Sequence, residues 1–443
     1  MDAPDQLRQR MAFALSQIFV ISDRAEGRHS TVTQYYDLLT ENAFGNYRDL
    51  LEKVTLNQDM GFFLGMAGNQ RANAELNIMR PDENFAREIM QLFSIGLIEL
   101  NLDGTPKLNE QGLPIPTYTQ THVEELAQAL TGWHMAFISN ATFQQNRETQ
   151  SGFNLPMISF PMYHDTTSKN LIEVPGFSPT LPPNQTPEQD LEQALDRIAN
   201  HPNVAPFISK QLIQRFVTSN PSPAYVRRIA TVFNNTDGSL QAVLRAILLD
   251  DEARNGHISQ PNTFGKIKEP ILKLTGFWRG IGLLSRTPFI GSNLTPIEAL
   301  DQIPLSAPSV FNFFPPDHSP AGRLNNNGLL APEGLLLDEA SVIEMGAAFT
   351  DFSLLTSQDE DFRIPIATDH LEALVPDNLM RPADLIEHLN IVLLASSMSD
   401  EMREVLLNMH SREDSAYRPS SKLQVVNDIL NIIALSPHFN VQR

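Results

Sequence analysis

Two groups of side chains carry types and spacings that chemistry could use. In residues 80–100, RPDENFAREIMQLFSIGLIEL, Asn84, Arg87, Glu88 and Gln91 stand at i, i+3, i+4 and i+7. Helical spacing puts them on one polar face, with Phe85, Ile89 and Leu92 on another. Such a face serves a buried ion-pair network, a solvated surface, or a ligand or catalytic site. The second group is His164-Asp165 with Lys169, in a stretch rich in Pro and aromatic residues. A His beside an Asp on a loop suits proton transfer, whereas the plain structural alternative has Asp165 capping a turn. Glu88, His164 and Asp165 are the catalytic candidates. Asn84, Arg87, Gln91, Lys169 and Asn312 are the binding candidates. Glu124 or His134 could add metal ligands, but no H-x-x-x-H or comparable spacing supports a metal site, and none is assigned. Asn312 lies among Phe311, Phe313 and Phe314, either in an aromatic-lined pocket or in a loop that those rings anchor. His201-Pro202 reads as a helix terminator whose imidazole bonds to terminal carbonyls.

Helices must position these residues. Leu7, Met11, Leu15 and Ile18 recur at helical spacing, so 11–22 reads as an amphipathic core helix rather than a signal peptide. Thr121 and Glu124 have capping-box spacing at the head of a helix whose stripe is Val123, Leu126, Ala127 and Leu130. Gly132 follows that helix. Thr186-Pro187-Glu188-Gln189 repeats the logic, with Pro at the first helical position. Further helices are expected at about 203–218, from Ser222-Pro223, and at 239–250, 268–284, 332–356, 383–397, 400–409 and 421–435. Strand signals are few. A hairpin is expected within 134–146 around Ser139-Asn140, and short extended pieces near 157–160 and 170–174. The excursions 134–186 and 285–332 read as ordered loops packed on a single helical body spanning 1–443. No internal repeat stands out. The fold class expected is mainly α, a large multi-helix bundle-like body with at most a small β-hairpin.

Composition sets the outer bounds. The chain has 443 residues and a net charge of −20, from 52 acidic and 32 basic residues. Such a surface opposes nucleic-acid binding, which needs clustered Lys and Arg. It suits a soluble protein or a cationic partner. There is no cysteine, which rules out disulfides, thiolate metal sites and cysteine nucleophiles. No run reaches the roughly 18 apolar residues a membrane helix needs. The G-x-S-x-G elbow, the P-loop, G-x-G-x-x-G and H-E-x-x-H are absent, and no cofactor is indicated.

Asn84-Phe85-Ala86-Arg87-Glu88 followed by Ala127-Gln128-Ala129-Leu130-Thr131-Gly132-Trp133 closely resembles a bacterial family, domain-of-unknown-function family 1800. The resemblance extends in order through Tyr163-His164-Asp165 with Lys169, and Asn200-His201-Pro202 with Arg215-Phe216-Val217. It continues through Lys266-Ile267-Lys268-Glu269-Pro270, Pro308 to Phe314 with Pro316-Asp317, Ala331-Pro332-Glu333, and Ser436-Pro437-His438-Phe439 with Val441-Gln442-Arg443. His438 stands where the family has Glu. The resemblance implies a mainly helical fold and a location in the periplasm, at the cell surface or outside the cell. It also implies a family N-terminal part missing from this chain, and a sulfatase-like protein partner (domain-of-unknown-function family 1501). The residues and the resemblance together leave three functional expectations: a scaffold or binding partner, a hydrolytic enzyme built on Arg87, Glu88, His164, Asp165 and Lys169, or a subunit of a multimer or filament.

Overall fold

The computed structural model describes residues 5–23, 29–73, 78–136, 143, 155–282, 302–337, 368–409 and 418–443. These are mainly helical, with three two-stranded ribbons. The chain divides into two compact units, one formed by 5–264 and 304–312, the other by 1–4, 265–303 and 313–443.

The larger unit carries α1 (Gln6–Ser16), α2 (His29–Glu41), α3 (Tyr47–Thr55), α4 (Gln58–Phe63), α5 (Asn84–Gln91) and α6 (Gln120–Ala129). After a long excursion come α7 (Pro187–Ala199), α8 (Val204–Phe216), α9 (Pro223–Asn235), α10 (Leu240–Leu249) and α11 (Asp251–Ser259). Their starts follow from side-chain caps. Asn46, Ser222 and Ser239 accept from the first amides of α3, α9 and α10. Thr186 and Gln189 form the expected capping box on α7. On α6 the box sits two residues earlier than Thr121–Glu124: Thr119 is the cap and His122 its reciprocal partner. Thr119 is extended (ψ 169°), so the helix begins after it and Thr121 falls inside. One continuous core joins these helices, including Leu15, Phe19, Leu50, Phe93, Leu195 and Ile208, all at most 1% exposed. The segment 304–312 returns to the end of α1, where Ser22 Oγ donates to the Ala307 carbonyl at 2.6 Å and Asp23 N–H to Leu305 at 3.0 Å.

The expected hairpin turn lies outside the described residues. Trp133–His134 (β1) pairs instead with Ile158–Ser159 (β2), and Lys169–Asn170 (β3) pairs with Thr180–Leu181 (β4).

Between α5 and α6 the chain makes a structure that the sequence reading missed, an eight-residue repeat. Lys107 N–H donates to Glu99 O (2.8 Å), Ile115 N–H to Lys107 O (3.1 Å), and Glu99 N–H to Ile115 O (2.7 Å). Bridges Leu100↔Pro106, Leu108↔Pro114 and Ile98↔Pro116 follow the same step of eight. Three extended segments thus close on one another in a pseudo-threefold arm over 97–117. Leu100-Asn101 with Gly104, and Leu108-Asn109 with Gly112, are its repeated turns, and both glycines have positive φ, 77° and 76°. Asn203 seats the arm: its side chain accepts from Leu100 N–H and donates to the Ile95 and Ile98 carbonyls.

The smaller unit packs α12 (Pro270–Gly280), α13 (Ala383–Leu394), α14 (Asp400–Met409) and α15 (Lys422–Leu435) around Leu274, Phe277, Leu389, Ile429 and Ile433. Pro332–Leu336 is a 3-10 turn that ends at Leu337, while positions 338–356 of the helix expected at 332–356 fall outside the described residues. Lys266–Ile267 (β5) pairs with Val441–Gln442 (β6), so the chain end completes this unit. Lys266 Nζ lies 2.9 Å from Glu333 within its core, both 1% exposed by side chain.

Candidate functional site

Thr131-Gly132-Trp133 and His164-Asp165 meet at the end of α6. The Thr131 hydroxyl donates to Gln128 O at 2.7 Å and accepts from Asp165 N–H at 2.8 Å. Gly132 has φ +83°, and a Cβ there would come within 3.1 Å of His164 N, His164 Cβ and Phe160 O. Its amide donates to Asn69 O and its carbonyl accepts from Phe160 N–H at 2.7 Å. Only a residue without a side chain allows the 158–165 segment to lie this close.

His164 then reaches a residue that the sequence reading missed. Its Nε2 is 3.1 Å from Asp190 Oδ2, and its Nδ1 is 3.0 Å from Thr131 O. Lys169 Nζ contacts the same Asp190 oxygen at 2.8 Å and donates to the carbonyls of Asp165 (2.6 Å) and Thr167 (2.8 Å). Asp190 Oδ1 accepts from Gln185 Nε2 at 2.6 Å. Lys169 has three N–H donors and all three are used, and both oxygens of Asp190 are taken. The side chains of His164, Lys169 and Asp190 are 1%, 1% and 0% exposed. Burial works to raise the Asp190 carboxyl, but hydrogen bonds and charge from His164 and Lys169 outweigh it and hold it below its ordinary value. Asp165 stands at the edge of this set, its Oδ1 3.9 Å from Lys169 Nζ. Its carboxylate accepts from Thr167 N–H at 2.8 Å, the turn-capping role that was the structural alternative.

The helix α5 group is arranged differently. Arg87 pairs with Glu83 at 3.0 Å and with Gln120 on α6 at 3.2 Å, a half-exposed surface network that Gln120 extends to Glu124. Asn84 is exposed and Gln91 half-buried. Glu88 is 6% exposed, and its Oε2 has no hydrogen-bond partner among the described residues. Burial raises its carboxyl above the usual range, with Arg87 working against that. The Tyr118 hydroxyl is likewise without a hydrogen-bond partner, and is pushed up to about 12 by burial and by Glu88. The five residues of the hydrolytic expectation thus fall into two sets. Polar contacts of Arg87 run to Glu83 and Gln120, and those of His164 and Lys169 run to Asp190.

The remaining candidates have local roles. His201 does not bond to terminal carbonyls. Its Nδ1 accepts from Asn203 N–H at 3.1 Å, at the head of α8, and burial lowers the ring to about 4. The reason is position: the ring follows α7 but lies against the next helix, whose amides are the unsatisfied groups. His134 packs edge-on against Phe62, Phe143 and Phe160, accepts from Met135 N–H, and is lowered to about 4 by burial. Asn312 is 7% exposed with φ +64°, a left-handed position that Asn tolerates better than most residues. Among the described residues no group of three or more His, Asp or Glu could hold a metal ion, and no helix is long and apolar enough to cross a membrane.

No curated protein and no solved structure matches the chain. A family model described as "Protein of unknown function (DUF1800)" matches residues 1–441, so the chain belongs to domain-of-unknown-function family 1800.

Proposed function

We propose that this protein is a binding or scaffolding component of the cell envelope or exterior, and that its polar motifs hold the fold together. The observation that supports this is the His164–Asp190–Lys169 set, whose side chains are at most 1% exposed and whose polar atoms are all engaged by protein partners. Envelope location and a sulfatase-like partner come from the family resemblance.

The test is association. The purified chain is mixed with a sulfatase-like protein of the same genome and followed by size-exclusion chromatography with light scattering. A stoichiometric complex is expected. Absence of any complex at about 50 µM, weaker than ordinary specific pairs, contradicts that partner.

A hydrolytic reading keeps one observation in its favour: Glu88 is a buried carboxyl raised by burial, as general acids are. Turnover of a generic ester, phosphate or glycoside substrate that disappears in Glu88→Gln would establish that reading instead.

A further inference from the structure

The pseudo-threefold arm contains its own precedent for what it binds. Its first turn rests on α9. Gly104 lies so close that a Cβ there would sit 3.1 Å from Val226 Cγ1, and Asp103 Oδ2 bonds Arg227 Nη2 at 2.7 Å. The second turn has the same backbone. Gly112 N–H donates to Asn109 O at 2.9 Å, as Gly104 does to Asn101, and Asn109 N–H donates to Leu113 O at 2.8 Å, as Asn101 does to Thr105. Yet nothing lies within 4 Å of a Cβ on Gly112. Leu108 and Leu113 flank this turn at 56% and 61% exposed, with Glu110 exposed beside them. Two aliphatic side chains thus project into solvent from a hydrogen-bonded turn.

We infer that the second turn, Asn109–Leu113, docks a helix of a partner protein that carries an aliphatic residue next to a cationic one, as Val226–Arg227 does for the first turn. The Gly112 backbone admits the close approach of a helix and the two leucines supply apolar contact; Gln111 stands where Asp103 does in the first turn, so the cation is met by the exposed carboxylate one position before it, Glu110. A net charge of −20 favours a cationic partner surface over an acidic one. This inference rests on the binding reading above and names its surface.

The probe is a fluorescein-labelled, hydrocarbon-stapled peptide of the α9 sequence, Ser222–Asn235, titrated into the full chain by fluorescence polarisation. Saturable binding is expected, about tenfold or more weaker in Leu108→Ser/Leu113→Ser, the size of effect seen when central apolar anchors are removed. Both leucines are exposed, so an unchanged circular-dichroism spectrum and unfolding midpoint verify the variant's fold. No saturation up to about 1 mM peptide, where specific recognition is no longer distinguishable from weak encounter, would overturn the inference. So would equal binding by the double variant, or by a scrambled peptide of the same charge. Such a failure removes this docking surface alone, because complex formation with the sulfatase-like protein is measured separately.

Discussion

Replacing Asp190 with alanine is expected to lower the unfolding free energy by about 3–5 kcal/mol, the usual cost of removing one partner from a buried charged set. The loss is large because Asp190 is shared. Its Oδ2 receives both His164 Nε2 at 3.1 Å and Lys169 Nζ at 2.8 Å, and its removal leaves an ammonium 1% exposed whose remaining carboxylate, Asp165 Oδ1, stands 3.9 Å away. Two neutral carbonyls also remain on Lys169 and orient it, but neither they nor the more distant Asp165 carboxylate replaces the 2.8 Å contact. Urea unfolding of Asp190→Ala, Asp190→Asn and Lys169→Met measures this. Asn is expected to cost less than Ala, since it keeps an acceptor in place. Lys169→Met with Asp190→Asn together should cost less than the sum of the two single changes, because each single change leaves the other group unpaired. The pH dependence follows from the sign of the shift. Asp190 is held below its ordinary 3.8, so the folded state releases its proton more readily than the unfolded chain. Its stabilisation is therefore full above that ordinary value and is lost as pH falls through the lower folded one. The gap between wild type and Asp190→Asn should narrow in that acid range and hold steady at neutral pH.

Gly132→Ala is expected to destabilise by about 2–4 kcal/mol, from a left-handed backbone strain of about 1–2 kcal/mol plus displacement of the packed segment. The internal control is Gly112→Ala. Both glycines have strongly positive φ, 83° and 76°. A Cβ at 132 meets His164 N, His164 Cβ and Phe160 O at 3.1 Å, whereas at 112 it meets nothing within 4 Å. Gly112→Ala should therefore show the backbone cost alone, about 1–2 kcal/mol. Equal losses at the two sites, by thermal or urea unfolding, would mean that the contact of Gly132 with the 160–164 segment contributes nothing.

The parts of this fold that were legible in sequence are those written locally. Thr186 and Gln189 cap α7 because both members of the box lie within four residues, and Ser222-Pro223 starts α9 for the same reason. Where two hydroxyls compete for one helix start, backbone geometry decides, and Thr119 takes the cap that Thr121 seemed to offer. The turn role of Asp165 was visible as one of two alternatives, because an Asx turn needs only the next two residues. Asp190 was not visible as the partner of His164 and Lys169. It lies 21 residues beyond Lys169 and sits in the first turn of an amphipathic helix, where an acid is expected anyway. Glu88 shares a helical face with Asn84, yet Asn84 is exposed and Glu88 buried, a difference set by what packs on that face. The arm escaped notice because its shared pattern is only Leu-Asn-x-x-Gly. Its third segment replaces those residues with Pro116-Thr117, and Pro106, Pro114 and Pro116 read as loop although they occupy bridge positions.

Native-state chemical access to His164 tests the central claim most directly. The chain is treated with diethyl pyrocarbonate at neutral pH, and modification of each histidine is followed by mass spectrometry of its peptides. His257, exposed on α11, is the internal reference. A sealed structural set predicts that His164 reacts about a hundredfold more slowly than His257, or slower still, and becomes reactive only together with global unfolding in urea. Modification of His164 at the rate of His257 in the folded protein would contradict the account and make the imidazole a group that substrates can reach.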